Sequence, residues 1–179
     1  VSTGVSIDKT GPREAMSGQP VRYVLRDIAN TSTVPLSSFY WRDYLPSAVR
    51  LEQVVTGTYN KSLTYKIVYR VNGGDYRTLA DSLSTAKNYT LDASPAALGL
   101  AVNEKVTELM CVFGQVPAGF AQVDIPYLYT TALPGLAPGS SFTNTAEAGG
   151  VFNGVWVQAV ARWVTAVYGK PVPLPRTGY

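Results

Sequence analysis

An all-β, antiparallel β-sandwich of immunoglobulin-like type with one short helical insertion is the fold class that three observations predict. Period-two alternation of apolar and polar residues recurs along most of the 179 residues, and no long stripe of period 3.6 appears. Twelve Tyr, 16 Gly and 12 Pro, with abundant Thr and Val, favour strands and turns over helices. Hydrophobic residues make up 46% and charged residues only 15%, enough apolar surface to fill a core between two sheets.

The elements follow in order. "VSIDK" sets Val5, Ile7 and Lys9 on one face and Ser6 and Asp8 on the other. "VRYVLRDIAN" alternates Val21, Tyr23 and Leu25 against Arg22, Val24 and Arg26. "FYWRDYLP" places Phe39, Trp41, Asp43 and Leu45 together. "LTYKIVYRV" turns Leu63, Tyr65, Ile67, Tyr69 and Val71 inward and Lys66 and Arg70 outward. "VNGGDY" then supplies a hairpin turn, because Asn72, Gly73 and Gly74 tolerate positive φ. "TLADSLSTAKN", residues 78–88, reads as the helical insertion, and "DASPAALGL", residues 92–100, as a second short turn. Further strands are predicted at 105–114, 121–131, 142–148 and 155–167. Residues 1–168 form one domain on this reading, and 169–179 a Pro-rich spacer.

Inventory excludes several chemistries. There is no histidine and a single cysteine, Cys111, so a His-based triad, a zinc site of the usual kind and an internal disulfide are all out of reach. Cys111 stands among apolar residues in "ELMCVFG" and reads as strand filler. The 15 Lys and Arg are scattered singly at a net charge of +3, which argues against a nucleic-acid groove. No apolar run reaches the roughly 18 residues of a membrane span. No cofactor or metal is expected.

Strand parity raises a sharper point. Lys9 is in phase with Val5 and Ile7, Asp43 with Phe39, Trp41 and Leu45, and Asn144 with Phe142, Ala146 and Ala148. A core built on those faces has a lysine, an aspartate and an asparagine aimed into it, each costly to bury alone. On one reading Lys9 lies at a sheet edge and reaches water, and Asn144 caps a backbone group. On the other, a buried lysine loses its proton and attacks the Asn144 side-chain carbonyl, with Asp43 shuttling protons and ammonia leaving. The product is an intramolecular isopeptide bond. Asp27, in phase with Tyr23 and Leu25, is the alternative acid.

"IDKTGP…SGQPVRYVLRDIANTSTVPLSSFYWRDYLP", continued by "FGQVPAGF" and "FTNTAEAGG", resembles the conserved-repeat domains of bacterial surface proteins and the isopeptide-forming, pilin-like fimbrial domains. The resemblance covers most of the chain, although Arg26 and Asp27 stand where that family more usually has Thr or Val. In its isopeptide-forming members a first-strand lysine joins a late-strand asparagine with help from an acid. By motif these fall on Lys9, Asn144 and Asp43.

The chain finishes on "GKPVPLPRTGY", in which Leu174-Pro175-Arg176-Thr177-Gly178 resembles the LPxTG sorting signal of Gram-positive wall-anchored proteins. The resemblance implies that a sortase cleaves between Thr177 and Gly178 and joins Thr177 to peptidoglycan or to a pilin subunit. The apolar segment and basic tail that normally follow such a signal are not in this sequence, so a trimmed chain is expected. "WVTAVYGK" partly resembles the lysine-bearing motif of pilin shafts, but glycine replaces proline and the spacing is compressed. Trp163 and Val167 therefore read as last-strand packing and Lys170 as a spacer charge.

The implied function is that of a sortase-anchored, extracellular structural or adhesive domain, a minor or basal pilin subunit being one form of it. The chain is then a sortase's substrate and not an enzyme acting on others. The alternative is an adhesin module without the bond, recognising a host glycan or matrix protein through an aromatic platform of Tyr40, Tyr44, Tyr59 and Tyr76.

Overall fold

Residues 1–169 are described by a computed structural model; residues 170–179, which carry the predicted sorting motif and all but the first residue of the predicted spacer, lie outside the described residues. In chain order the strands are β1 (Val5–Thr10), β2 (Glu14–Ala15), β3 (Pro20–Asn30), β4 (Leu36–Tyr44), β5 (Val49–Val55) and β6 (Thr64–Val71). There follow β7 (Tyr76–Ser84), β8 (Thr90–Asp92), the helix α1 (Pro95–Leu98), β9 (Val106–Val116), β10 (Tyr127–Ala132), β11 (Ser141–Phe152) and β12 (Val155–Val167). They build a five-stranded sheet, β1-β3-β10-β5-β8, and a seven-stranded sheet, β2-β12-β11-β4-β9-β6-β7. Neighbours run antiparallel throughout except for the two-residue parallel pairing of β2 with β12.

The fold is the β-sandwich that the alternation implies, and its core is the sum of the predicted inward faces. Val21, Tyr23 and Leu25 of β3 meet Phe39 and Trp41 of β4 and Ile67 of β6, all fully buried. Aromatic rings close one end: Tyr59 stacks on Phe120 at 5.3 Å, and Tyr65 on Phe113 at 4.7 Å. The β6–β7 hairpin turns where expected, with φ of +50° at Asn72 and +68° at Gly73 and the Gly74 amide donating to the Val71 carbonyl.

Two expectations fail for a common reason. Residues 78–88 are not helical: β7 runs to Ser84, and a turn follows. Its pairing with β6 slips twice, and Ser82 takes a φ of +53°. Such bulges disturb the period-two alternation, so Leu79, Ala80 and Leu83 imitate a helical stripe while lying on a sheet. The one helix among the described residues is the single turn Pro95–Leu98, in the second predicted segment, capped by the Ser94 hydroxyl. Likewise the strand expected at 121–131 begins only at Tyr127, since 121–126 form a loop held by isolated bridges to Ala29 and Tyr59.

Candidate functional site: a buried lysine, aspartate and asparagine

Lys9 comes from β1 in the five-stranded sheet, whereas Asp43 and Asn144 come from β4 and β11, neighbours in the seven-stranded sheet. In the β4–β11 register Asp43 faces Ala146 and Tyr44 faces Thr145, so Asn144 lies one inward position diagonal to Asp43. The sandwich then brings β1 over them. Lys9 Nζ is 2.5 Å from Asp43 Oδ2, and Asn144 Nδ2 donates to Asp43 Oδ1 at 2.7 Å. The side chains of Lys9 and Asp43 have no exposure at all, and Asn144 is equally enclosed. Lys9 therefore does not reach water from its edge strand, and that reading is set aside.

Burial sets the electrostatics of Lys9 and Tyr23. Burial pushes the Lys9 amine below the ordinary lysine range, and the adjacent Asp43 only partly offsets this. Lys9 Nζ also lies 4.3 Å from the centre of the Tyr23 ring. The Tyr23 phenol is pushed up, by burial first and by the nearby Asp43 second. Two polar atoms here, Asn144 Oδ1 and Tyr23 Oη, are buried without a hydrogen-bond partner. An orphaned amide oxygen carries a penalty of about 1–3 kcal/mol, so something must compensate for keeping it there. Asn144 does not act mainly as a backbone cap: its one such contact, to the Tyr44 carbonyl, is long at 3.5 Å.

Asp27, the alternative acid, is excluded by geometry. Between Ser6 and Asp8 the β1–β3 register slips, and Asp27 sits on that bulge with a φ of +55°. The bulge turns its side chain out to solvent, so phase with Leu25 is lost. Cys111 is fully buried and its thiol is pushed well up by that burial, which leaves it an inert core residue.

The four tyrosines do not share one platform. Tyr59 belongs to the core, accepting from Trp41 Nε1 and donating to the Thr56 carbonyl. Tyr40, Tyr44 and Tyr76 do lie on the outer face of the seven-stranded sheet, but Tyr40 is covered. There Trp156 Nε1 donates to Tyr40 Oη, which donates to Glu147, and Arg42 donates to the same carboxylate. Gly149 makes this possible, because a Cβ there would meet Tyr40 Oη at 2.6 Å and Trp156 Nε1 at 2.9 Å. Trp163 is partly buried against the core and Val167 fully so, as last-strand packing requires.

No protein-family model matches the chain, and no curated protein does either. Among solved structures, it is similar to an enzyme catalysing macrocyclization in alchivemycin A biosynthesis, at 10% identity and a TM-score of 0.39, over 97% of this chain and 94% of that one. It is similar to the collagen-binding subdomain of the Enterococcus faecalis surface protein ACE, at 14% identity and a TM-score of 0.42, over 91% and 96%. It is also similar to the T6 backbone pilin of serotype M6 Streptococcus pyogenes, at 10% identity and a TM-score of 0.43, over 94% of this chain but 36% of that one. These are likenesses of general β-sandwich shape, and no function passes across them.

Proposed function

We propose that Lys9 and Asn144 join in an intramolecular isopeptide bond, and that the chain is a surface domain of structural or adhesive type stapled by it. The observation that carries this reading is the enclosed contact chain from Lys9 Nζ through Asp43 to the Asn144 amide. In so dry a site the neutral Lys9 amine is favoured, and the proton it gives up passes to Asp43 Oδ2, 2.5 Å away. Once Asp43 holds the proton, the stable orientation of the Asn144 amide is the flipped one, in which its oxygen accepts from Asp43. The Asp43 proton then polarises the carbonyl, and the Lys9 lone pair attacks Cγ. Collapse of the tetrahedral adduct passes a proton through Asp43 to Nδ2, the Cγ–Nδ2 bond breaks, and one ammonia leaves. The orphaned amide oxygen fits a site organised for a product in place of the unreacted side chains.

The sorting motif at Leu174–Gly178 supports the wall-anchored half of the proposal, with a sortase as the enzyme and Thr177 as the point of attachment. Tension on Thr177 enters through β12, which is zipped to β11, the strand of Asn144. A bond from Asn144 to β1 carries that tension past residues 10–143. Intact mass is the test. The purified chain is expected to weigh one ammonia less than its sequence, with Lys9→Ala and Asn144→Ala each restoring the mass calculated for the variant. A chain of unmodified mass would sink the bond.

A further inference from the structure

Three of the four sheet edges are blunted in ways that discourage strand addition. β1 is short, slips register and carries Asp8. β8 has only three residues. β7 slips twice against β6 and exposes Arg77 and Asp81. The fourth edge has no such protection. β12 pairs with β11 through twelve consecutive positions without a slip; on its other side only Ala166 and Val167 are hydrogen-bonded to a strand, β2, although β1 and the Gly11–Pro12 segment pack close against its inner face.

The open stretch runs from Trp156 to Val164 and contains no proline, no glycine and one charge, Arg162. The Ala166 and Tyr168 amides donate towards β2, whereas the Val167 amide donates to Ser140 at the start of β11. By strand alternation, the N–H and C=O groups of residues 156, 158, 160, 162 and 164 therefore face the open edge. The same residues stand on the outer face, with Trp156 52%, Val160 41% and Val164 56% exposed.

We infer that this edge is a self-association surface on which β12 pairs antiparallel with β12 of a second copy, across a two-fold axis at Val160. A second copy is the occupant because the stretch is self-complementary about its own centre. Val160 falls opposite Val160, Gln158 opposite Arg162, and Trp156 opposite Val164. That gives one aliphatic pair, two amide–guanidinium pairs and two aromatic–β-branched pairs, with no like charges opposed. Moving the centre to Arg162 would set arginine against arginine. The ends fit as well: the turn at Asn153 and Gly154 of one copy falls beside Ala166 of the other, where β2 takes over the edge. The product is a continuous sheet through two sandwiches.

Sedimentation of the full chain over a concentration series is expected to show a monomer–dimer equilibrium. Val160→Lys, which opposes two ammonium groups at the axis, is expected to weaken the dimer by at least about tenfold. Val160→Cys is expected to form a cross-dimer disulfide on oxidation, since opposed hydrogen-bonded residues have Cα atoms about 5.5 Å apart. Gln158→Cys, facing Arg162, is expected not to. Both side chains are exposed on the outer face, whereas Lys9 is buried between the sheets, so an unchanged intact mass and melting temperature report an intact fold whether or not the isopeptide reading holds. A chain that stays monomeric at its highest soluble concentration would overturn the inference. So would a dimer indifferent to Val160→Lys, cross-linking through Gln158→Cys alone, or a monomer whose β12 edge binds only an unrelated extended peptide.

Discussion

Arg42 and Asp43 are neighbours on β4, and each holds an oppositely charged partner at 2.5 Å, yet the two pairs behave in opposite ways. Asp43 and Lys9 point inward with no side-chain exposure, while Arg42 and Glu147 point outward at 21% and 8%. For Lys9, burial outweighs the attraction of Asp43 and its affinity for a proton falls. For Arg42, burial also pulls downward, but the hydrogen bond and charge of Glu147 more than offset it, and the guanidinium holds its proton more firmly. The same contact distance thus goes with a lysine of lowered proton affinity on one face of a strand and an arginine of raised proton affinity on the other. Access to water decides the difference, since desolvation grows faster than the Coulomb attraction as a pair leaves solvent.

The most severe way to break the inner site is Lys9→Ala. A cross-link closing the loop from residue 9 to residue 144 is worth about 4–5 kcal/mol on chain entropy. Its loss is expected to lower the melting temperature by about 10–15 °C in calorimetry. An equal melting temperature for variant and parent would mean that no covalent staple supports the fold.

The pH dependence of a chain that cannot form the bond sharpens the contrast. In Asn144→Ala, Lys9 remains buried with its proton affinity lowered. Between that lowered pKa and the unfolded value of about 10.4, the unfolded chain binds more protons, so stability rises with pH. The expected gain approaches about 1.4 kcal/mol per pH unit inside that window and vanishes above it. Thermal melts from about pH 7 to pH 10 check the slope against a Lys9→Met/Asn144→Ala control, in which it is expected to disappear.

Glu147→Gln tests the outer pair and is expected to lower stability by only about 1 kcal/mol, because water reaches Arg42 when its partner weakens. Urea unfolding measures it, and a loss as large as that of Lys9→Ala would erase the distinction between the faces. Smallest of all is Asp27→Asn. The mass deficit is expected to stay and stability to change by less than about 0.5 kcal/mol, since Asp27 is exposed on its bulge.

The sequence alone determined which way most side chains face. Alternation is a local property of extended backbone, so Trp41 and Ile67, and equally Lys9, Asp43 and Asn144, are placed inward from their neighbours without knowledge of the fold. Where the backbone departs from ideal extension, that reading fails. Bulges at Asp27 and Ser82 shift the phase by one residue, which expelled the alternative acid and gave β7 the pattern of a helix. Tyr59, outside any strand, has no phase to read, and only the folded chain shows it in the core. The tertiary structure also decided what meets what. Strands remote in sequence bring Lys9 from one sheet against Asp43 and Asn144 from the other, and the strand order leaves β12 open while the other edges are blunted. Facing is fixed by the two-residue repeat of the chain; pairing is fixed by the packing of two whole sheets, which no local pattern encodes.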